Sequence, residues 1–224
     1  MIEAFRAVIA DDAPIFLLLA GPNGAGKSTY RQKRLEPIGF PCVDPDQVAK
    51  DQFGRDPISS EEALQATLVA TDCVREHFAK MQSIGLETTF ADTRGHKLAL
   101  IDEAKGAGFR TVLIFIGVDH PQISIARVMD RVDHGGHDVP DEVIERRFPR
   151  CFENLKQGLL AVDLALLIDN SGCYGPSNTG ADDLRHYEFA IIQRNGPTKL
   201  SHPLPRWFTD FHIDTATTQN RYPQ

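Results

Sequence analysis

Residues 21–29 decide the fold of this chain, and they read Gly21, Pro22, Asn23, Gly24, Ala25, Gly26, Lys27, Ser28 and Thr29. They match the P-loop pattern Gly-x-x-x-x-Gly-Lys-Ser, in which a glycine-rich loop joins a strand to a helix. The backbone N–H groups of such a loop point inward to hold phosphate oxygens, and glycines allow the required dihedral angles. The pattern therefore predicts that residues 21–29 bind the phosphates of a nucleotide.

Two side chains of the motif carry its chemistry. Lys27 would supply positive charge to the β- and γ-phosphates, and Ser28 would offer its hydroxyl to Mg²⁺, so ATP and Mg²⁺ are the expected cofactors. The same string is also typical of transporter ATPase subunits, which carry a Leu-Ser-Gly-Gly-Gln signature before an apolar strand ending in Asp-Glu. No such signature occurs in the 224 residues, which argues against a transporter ATPase.

The flanks of the motif indicate the fold class. Residues 14–20 form an unbroken apolar run, which is typical of a strand buried on both faces of a parallel sheet, and a helix is predicted from Lys27 to about Leu35. Strands then alternate with helices along the chain. The prediction is an α/β protein with a kinase-like P-loop NTPase fold: three layers, α/β/α, with a mostly parallel central sheet and a helical lid.

The remaining elements are predicted from hydrophobic periodicity. Strands are expected at 40–43, 84–90, 110–117 and 162–168, with a peripheral strand at 188–193; helices are expected at 61–82, 97–105, 123–132 and from 140. In the helix 61–82, the spacing of Leu64, Leu68, Val74 and Phe78 predicts one buried face. We expect one P-loop domain over residues 1–194, with its lid at about 132–147. An irregular tail, 195–224, would pack on or near it.

Composition restricts the partners. The formal net charge is −7, whereas a protein that binds nucleic acid usually has a basic surface, so no nucleic-acid partner is expected. The apolar run at 15–20 is too short to cross a bilayer, and the first residues lack the apolar core of a signal peptide. We expect a cytoplasmic protein without a membrane partner.

Carboxylates follow two predicted strands. Asp44 and Asp46 come directly after the strand 40–43, at the sheet edge that also carries the P-loop. Asp46 could orient an acceptor hydroxyl, or it could simply cap the next helix. Glu87 ends an apolar strand, where a ligand or cation would offset its desolvation, although an exposed edge strand would also accommodate it. Thr88 and Thr89 could add hydroxyls to the same site.

Arginines flank a glycine-containing segment. Arg127 and Arg131 share a helix face, and Arg146 and Arg147 lie on the next helix, after the Gly135-Gly136 pair. This layout is the one that a phosphate-closing flap requires, although surface ion pairs would explain any single arginine.

Together, the P-loop, Val43-Asp-Pro-Asp46 and Glu87-Thr-Thr89 resemble the zeta-toxin / UDP-N-acetylglucosamine kinase family of P-loop kinases. The resemblance continues in the segment Ala126–Val132 and in residues 135–148, and it covers roughly residues 14–170. It implies an ATP-dependent kinase that moves the γ-phosphate to a hydroxyl of a nucleotide sugar. UDP-N-acetylglucosamine is the family's known substrate.

The resemblance also implies roles for individual residues. Asp46 would be the general base and Lys27 the phosphate lysine, while Glu87 and Thr89 would bind the acceptor. Arg131 would stabilise the transition state, with Arg147 or Arg146 as the second lid cation. Toxins of this type also need a small helical antitoxin partner. A kinase of another acceptor (a sugar, a nucleoside or an RNA end) and a nucleotide-binding ATPase or switch stay open as alternatives.

Overall fold

The computed structural model describes residues 13–55, 59–136, 138–172, 187–194 and 198–213. These residues form a seven-stranded sheet in the order β2-β3-β1-β4-β5-β6-β7. The strands are Ile15–Ala20 (β1), Cys42–Val43 (β2), Ile84–Thr88 (β3), Arg110–Gly117 (β4), Leu164–Asp169 (β5), Tyr187–Gln193 (β6) and Lys199–Leu200 (β7).

The sheet is parallel from β2 to β5 and antiparallel at β6 and β7, so the predicted mostly parallel sheet is confirmed. Strand β1 lies between β3 and β4, and all six of its residues are buried, which requires cover on both faces of the sheet. The P-loop follows β1 directly. It therefore lies at the carboxyl edge of the sheet, where β2, β3, β4 and β5 also end.

The first helix, Lys27–Tyr30 (α1), continues as a π-helical turn at Arg31–Leu35. The other helices are Pro45–Phe53 (α2), Ser60–Ala79 (α3), His96–Gly106 (α4), Pro121–Asp133 (α5), Asp141–Ala161 (α6) and Arg206–Asp210 (α7). In the part of the chain that the structure describes, no helix has the length and apolar character of a membrane span.

The buried face of α3 differs from the prediction in its first half. Leu64 and Leu68 are 58% and 54% exposed, whereas Ala66 and Ala70 are buried. Helix α3 packs against α2, which buries Ala49. Small side chains at this contact let the two helices approach closely, and the larger leucines therefore face outward.

Strand β6 is not peripheral, contrary to the prediction. It pairs with β5 on one side and β7 on the other, and Phe189 to Ile192 are buried. The described part of the tail, 198–213, holds the short strand β7 and the short helix α7. Trp207 of α7 is fully buried among the rings of Phe115, Phe152 and Phe189.

Helices α5 and α6 form a hairpin with an apolar cluster of its own. Val128 of α5 packs with Val139 and Ile144, separately from the main core. The glycines after α5 end the helix: the Gly135 and Gly136 N–H groups donate to the carbonyls of Val132 and Arg131. This local geometry accounts for a glycine pair that the sequence analysis associates with a flap.

Candidate active site

The P-loop backbone has the dihedral angles and close contacts that its glycines allow. Gly24 has a φ of 66°, and a Cβ built there would lie 2.7 Å from the Ser124 carbonyl oxygen of α5. At Gly21, with a φ of 145°, a Cβ would lie 2.1 Å from the carbonyl oxygen of Ile116 in β4. Any other residue at these two positions would force the loop away from β4 and α5.

The Lys27 side chain folds back over the loop. Its Nζ donates to the carbonyl oxygens of Gly21 and Pro22, at 2.9 Å each, and the residue is buried. These bonds satisfy the ammonium group in the absence of phosphate and hold it above the loop. A phosphate seated on the loop would find the charge already in place.

Ser28 and Glu87 meet at the floor of the site. Ser28 Oγ donates to Glu87 Oε1 over 2.7 Å, and Arg31 Nε donates to Glu87 Oε2 over 3.2 Å. Glu87 is 6% exposed and lies on β3, which has a neighbour on each side. The alternative of an exposed edge strand is therefore wrong, and the desolvated carboxylate has the cation that it needs in Arg31.

Arg31 belongs to this site, although the sequence pattern did not predict it as a site residue. Its guanidinium also lies 2.6 Å from Glu36 and 3.7 Å from Asp44, so one cation serves three carboxylates. A weak signal existed, because Arg31 follows Ser28 by three positions, and residues three apart share one face of a helix.

The two aspartates after β2 have different environments. Asp44 is the N-cap of α2 and accepts from the Asp46 N–H over 3.0 Å, so the alternative that Asp46 caps this helix is wrong. Burial raises the pKa of Asp44 from 3.8 to about 6, with further increases from the charges of Glu87 and Asp46. Asp46 itself is exposed, and its carboxylate is accessible to a ligand.

Helix α6 presents Arg147 to this site. Burial, reinforced by Arg146 and Arg150, lowers the Arg147 pKa, and the charge of Asp46 opposes the shift. One turn further, the pKa of the buried Cys151 thiol is raised to about 12 by desolvation, against the charges of Lys27 and Arg147. Arg147 therefore lies within the field of the predicted base, Asp46, and both Arg147 and Lys27 act on Cys151. Arg146 is exposed.

The arginines of α5 occupy two different places. Arg127 donates to the carbonyl oxygen of Asn170 over 2.7 Å and to that of Gly24 over 3.4 Å, and so contacts the back of the P-loop. Arg131 lies in the last turn of α5, half-buried, with its side chain packed beneath Gly136. The sequence placed both on one functional face, and the structure brings Arg127 into contact with the P-loop backbone at Gly24.

The segment after β3 is fixed by α6. Asn154 Nδ2 donates to the carbonyl oxygens of Phe90 and Asp92, at 2.9 Å each, and Phe90 has a left-handed φ of 58°. The hydroxyl of Thr88 accepts from the Phe90 N–H over 3.1 Å. Thr89, predicted to bind the acceptor, is half-buried between Glu87 and this anchored turn.

A buried lysine faces the same edge of the sheet. Lys97 lies in the first turn of α4, on its buried face, and is 8% exposed. Burial lowers the Lys97 pKa, although the charge of Asp92 opposes this, and one Asp92 carboxylate oxygen is buried without a hydrogen-bond donor among the described residues.

The donor set at Ser28 fits Mg²⁺. This ion prefers oxygen ligands and is usually bound by one or two carboxylates together with phosphates of the substrate. Ser28 and Glu87 offer a hydroxyl and a carboxylate at adjacent positions. Phosphate oxygens and waters would complete the coordination of the ion.

Fold and site together define a P-loop protein of the kinase-like type. The phosphate loop follows the central strand, and the Glu87 carboxylate of β3 bonds to Ser28 beside it. The chain belongs to the family described as "AAA domain", whose model matches residues 16–152. An uncharacterised protein of Haemophilus influenzae is 27% identical over 132 residues, which are 59% of this chain and 91% of that protein.

Solved structures share the fold at low identity. The AvrRxo1-ORF1:ORF2 complex with ATP gives a TM-score of 0.62 at 17% identity, covering 93% of this chain and 66% of that chain. The PezAT toxin-antitoxin system of Streptococcus pneumoniae gives 0.56 at 14%, covering 98% and 92%. A protein of Chloroflexus aurantiacus provisionally described as a kinase gives 0.51 at 18%, covering 62% and 80%. The chain therefore spans about two thirds of the AvrRxo1 chain.

Proposed function

We propose that this protein is an ATP-dependent kinase that transfers the γ-phosphate of ATP to a hydroxyl group of a nucleotide sugar, with UDP-N-acetylglucosamine as the first candidate. The observation that carries the proposal is the position of Asp46. Its exposed carboxylate lies at the start of α2, just after β2, at the carboxyl edge of the sheet where the P-loop also lies, and its charge acts on Arg147. A carboxylate together with this cation favours phosphoryl transfer over a nucleotide switch.

The donor half of the site would consist of the P-loop, Lys27 and Ser28. Loop N–H groups and the Lys27 ammonium would bind the β- and γ-phosphates. Ser28 and Glu87 would hold Mg²⁺, which neutralises phosphate charge when bound. Ser28 would then exchange its present hydrogen bond to Glu87 for a contact with the ion.

The transfer would follow from the positions of the charged side chains. Asp46 would accept the proton of the acceptor hydroxyl, and the oxygen of that hydroxyl would attack the γ-phosphorus. The bond between that phosphorus and the β–γ bridging oxygen breaks, and ADP leaves with the bonding electrons. Arg147, and Arg131 from the end of α5, would stabilise the negative charge on the transferring group.

The acceptor half is supported by Lys97. The Lys97 side chain is largely buried in the first turn of a helix, where the dipole also disfavours its charge, and burial lowers its pKa; an anion bound there would stabilise the charged form. A nucleotide sugar carries such an anion in its diphosphate. Glu87 and Thr89, which the family resemblance places beside the acceptor, lie on β3 and just after it, at the same sheet edge.

The α5–α6 hairpin would serve as the lid. The tip of this hairpin has its own cluster of Val128, Val139 and Ile144, whereas α6 joins the main core from Phe148 onward, so the tip would move over the site and carry Arg131. A small antitoxin protein is proposed as a partner, supported by the fold that this chain shares with PezAT.

Incubation with ATP, Mg²⁺ and a panel of acceptors, read by mass spectrometry, tests the proposal. We expect UDP-N-acetylglucosamine to gain one phosphate, and Asp46→Asn to reduce the rate roughly a thousandfold. Transfer to a simple sugar, a nucleoside or an RNA end would support the proposed kinase activity but contradict the proposed nucleotide-sugar acceptor. ATP hydrolysis that no acceptor stimulates would contradict the proposal.

A further inference from the structure

The carboxyl ends of β4 and β5 are joined to the tail by a closed ring of four hydrogen bonds. Trp207 Nε1 donates to Asp169 Oδ1 over 2.9 Å, and Ser171 Oγ donates to the same oxygen over 2.5 Å. The Asp119 N–H donates to Ser171 Oγ over 3.0 Å. The Trp207 N–H closes the ring by donating to Asp119 Oδ1 over 3.0 Å.

This ring, made of Asp119, Asp169, Ser171 and Trp207, encloses the segment that supports the P-loop. Asn170 lies between two ring members, and its Nδ2 donates to the Ala25 carbonyl oxygen over 2.9 Å. Its own carbonyl accepts from Arg127, which also reaches the Gly24 carbonyl. Its N–H donates to Gly117 over 2.9 Å.

These outward bonds matter for a phosphate loop. A peptide plane whose N–H points toward a phosphate turns its carbonyl away from it, and a carbonyl at the back of the loop needs a donor there. Asn170 and Arg127 provide these donors for Ala25 and Gly24. If Asn170 were displaced, the P-loop would no longer be held in its phosphate-binding conformation. Phosphate binding would then carry the free-energy cost of ordering the loop.

Trp207 is built into this position. It is fully buried, and a Cβ on Gly117 would lie 2.3 Å from Trp207 Cε2, so the indole rests on the end of β4. Both hydrogen-bond donors of Trp207, the indole N–H and the backbone N–H, are used in the ring. The family match ends at residue 152, so these contacts come from a segment beyond it.

We infer that Trp207 is a positioning residue for the nucleotide site: through the hydrogen-bond ring it holds Asn170 against the P-loop and so sets the affinity for ATP. The inference rests on the proposed function in one respect, namely that ATP binds at residues 21–29. It adds that the tail segment 198–213 is part of the nucleotide site.

Trp207→Phe keeps an aromatic ring in the core and removes the indole donor, and Ser171→Ala opens the ring without touching the core. We expect each to raise the Kd for ATP, measured by calorimetry, roughly fivefold. The double variant should bind ATP about as weakly as either single variant, because the ring is already open. Asp210→Asn, at an exposed position of the same helix α7 and outside the ring, should keep the wild-type Kd within about twofold.

The outcomes separate the two claims. If the wild type binds ATP and both ring variants bind it equally well, whatever their melting temperatures, the inference is wrong and Trp207 is only a core residue. If the wild type binds no ATP, the proposed function falls and takes this inference with it. Because Trp207 is the only tryptophan, the Ser171→Ala variant offers a second readout: its fluorescence change on adding ATP should be smaller than that of the wild type.

Discussion

Ser28 Oγ donates to Glu87 Oε1 over 2.7 Å, which joins the P-loop to the end of the neighbouring strand. The family resemblance places Glu87 on the acceptor side, whereas this contact puts it beside the predicted Mg²⁺ position. We predict that Glu87→Gln raises the Mg²⁺ concentration for half-maximal activity roughly tenfold, because the carboxylate charge is lost. Activity measured across a Mg²⁺ titration checks this. An unchanged Mg²⁺ dependence with a raised acceptor KM would return Glu87 to the acceptor side alone.

Arg146 and Arg147 are adjacent but differ in environment. Arg147 is half-buried and lies in the field of Asp46, whereas Arg146 is exposed. We predict that Arg147→Ala lowers kcat roughly 100-fold, because the transferring phosphoryl group loses a cation, and that Arg146→Ala stays within about twofold. Steady-state kinetics on the two matched variants check this. Equal losses of kcat in the two variants would contradict the assignment of Arg147, rather than Arg146, as the cation that stabilises the transferring phosphoryl group.

Asp44 makes stability depend on pH. Its pKa is raised from 3.8 to about 6, so the folded state binds a proton more tightly than the unfolded state, and stability falls as pH rises from about 4 to 6. Asparagine keeps the helix cap and removes the charge. Asp44→Asn should therefore stabilise the fold by about 1–3 kcal/mol at pH 7.5 and by much less at pH 4. Denaturant melts at the two pH values check this; a pH-independent effect would contradict it.

Lys97 gives a prediction about the acceptor. We expect Lys97→Met to raise the acceptor KM roughly tenfold, because the proposed anion contact is lost, while the ATP KM stays unchanged. Removing a buried ammonium should also leave the melting temperature the same or higher. Lys80→Met, at an exposed lysine just after α3, is the control and should change neither KM. A Lys97→Met variant with wild-type acceptor kinetics would remove the anion site from the mechanism.

Structural elements that depend on the local pattern of apolar residues can be predicted from the sequence. The sequence predicts strand Arg110–Gly117 with its observed bounds, because a continuous apolar run of this length between turn residues is typical of a buried strand. The burial of Glu87 was also foreseeable, since a carboxylate at the end of such a run needs a cation. Its partner was not, because Arg31, Lys33 and Arg34 lie in one short basic stretch and only the packing decides which of them faces β3.

Contacts between distant segments account for what the sequence analysis missed. Trp207 bonds to Asp169 and Asp119 across 38 and 88 positions, and no spacing rule relates such residues. The outward Leu64 and Leu68 have the same origin, because the close approach of α2 favours alanine at the contact, and periodicity alone assigns the larger residues to the core. The roles given to Arg131 and Thr89 stay predictions.

The two outermost strands of the described sheet, β2 and β7, are each only two residues long. An exposed edge offers unpaired N–H and C=O groups to the backbone of another molecule, and long flat edges promote aggregation and strand exchange. Here each edge of the described sheet presents very few such groups. Strand β7 is also exposed and includes Lys199, whose charge opposes pairing with a strand of another molecule. Association with another chain is therefore expected to use helical surfaces rather than strand addition.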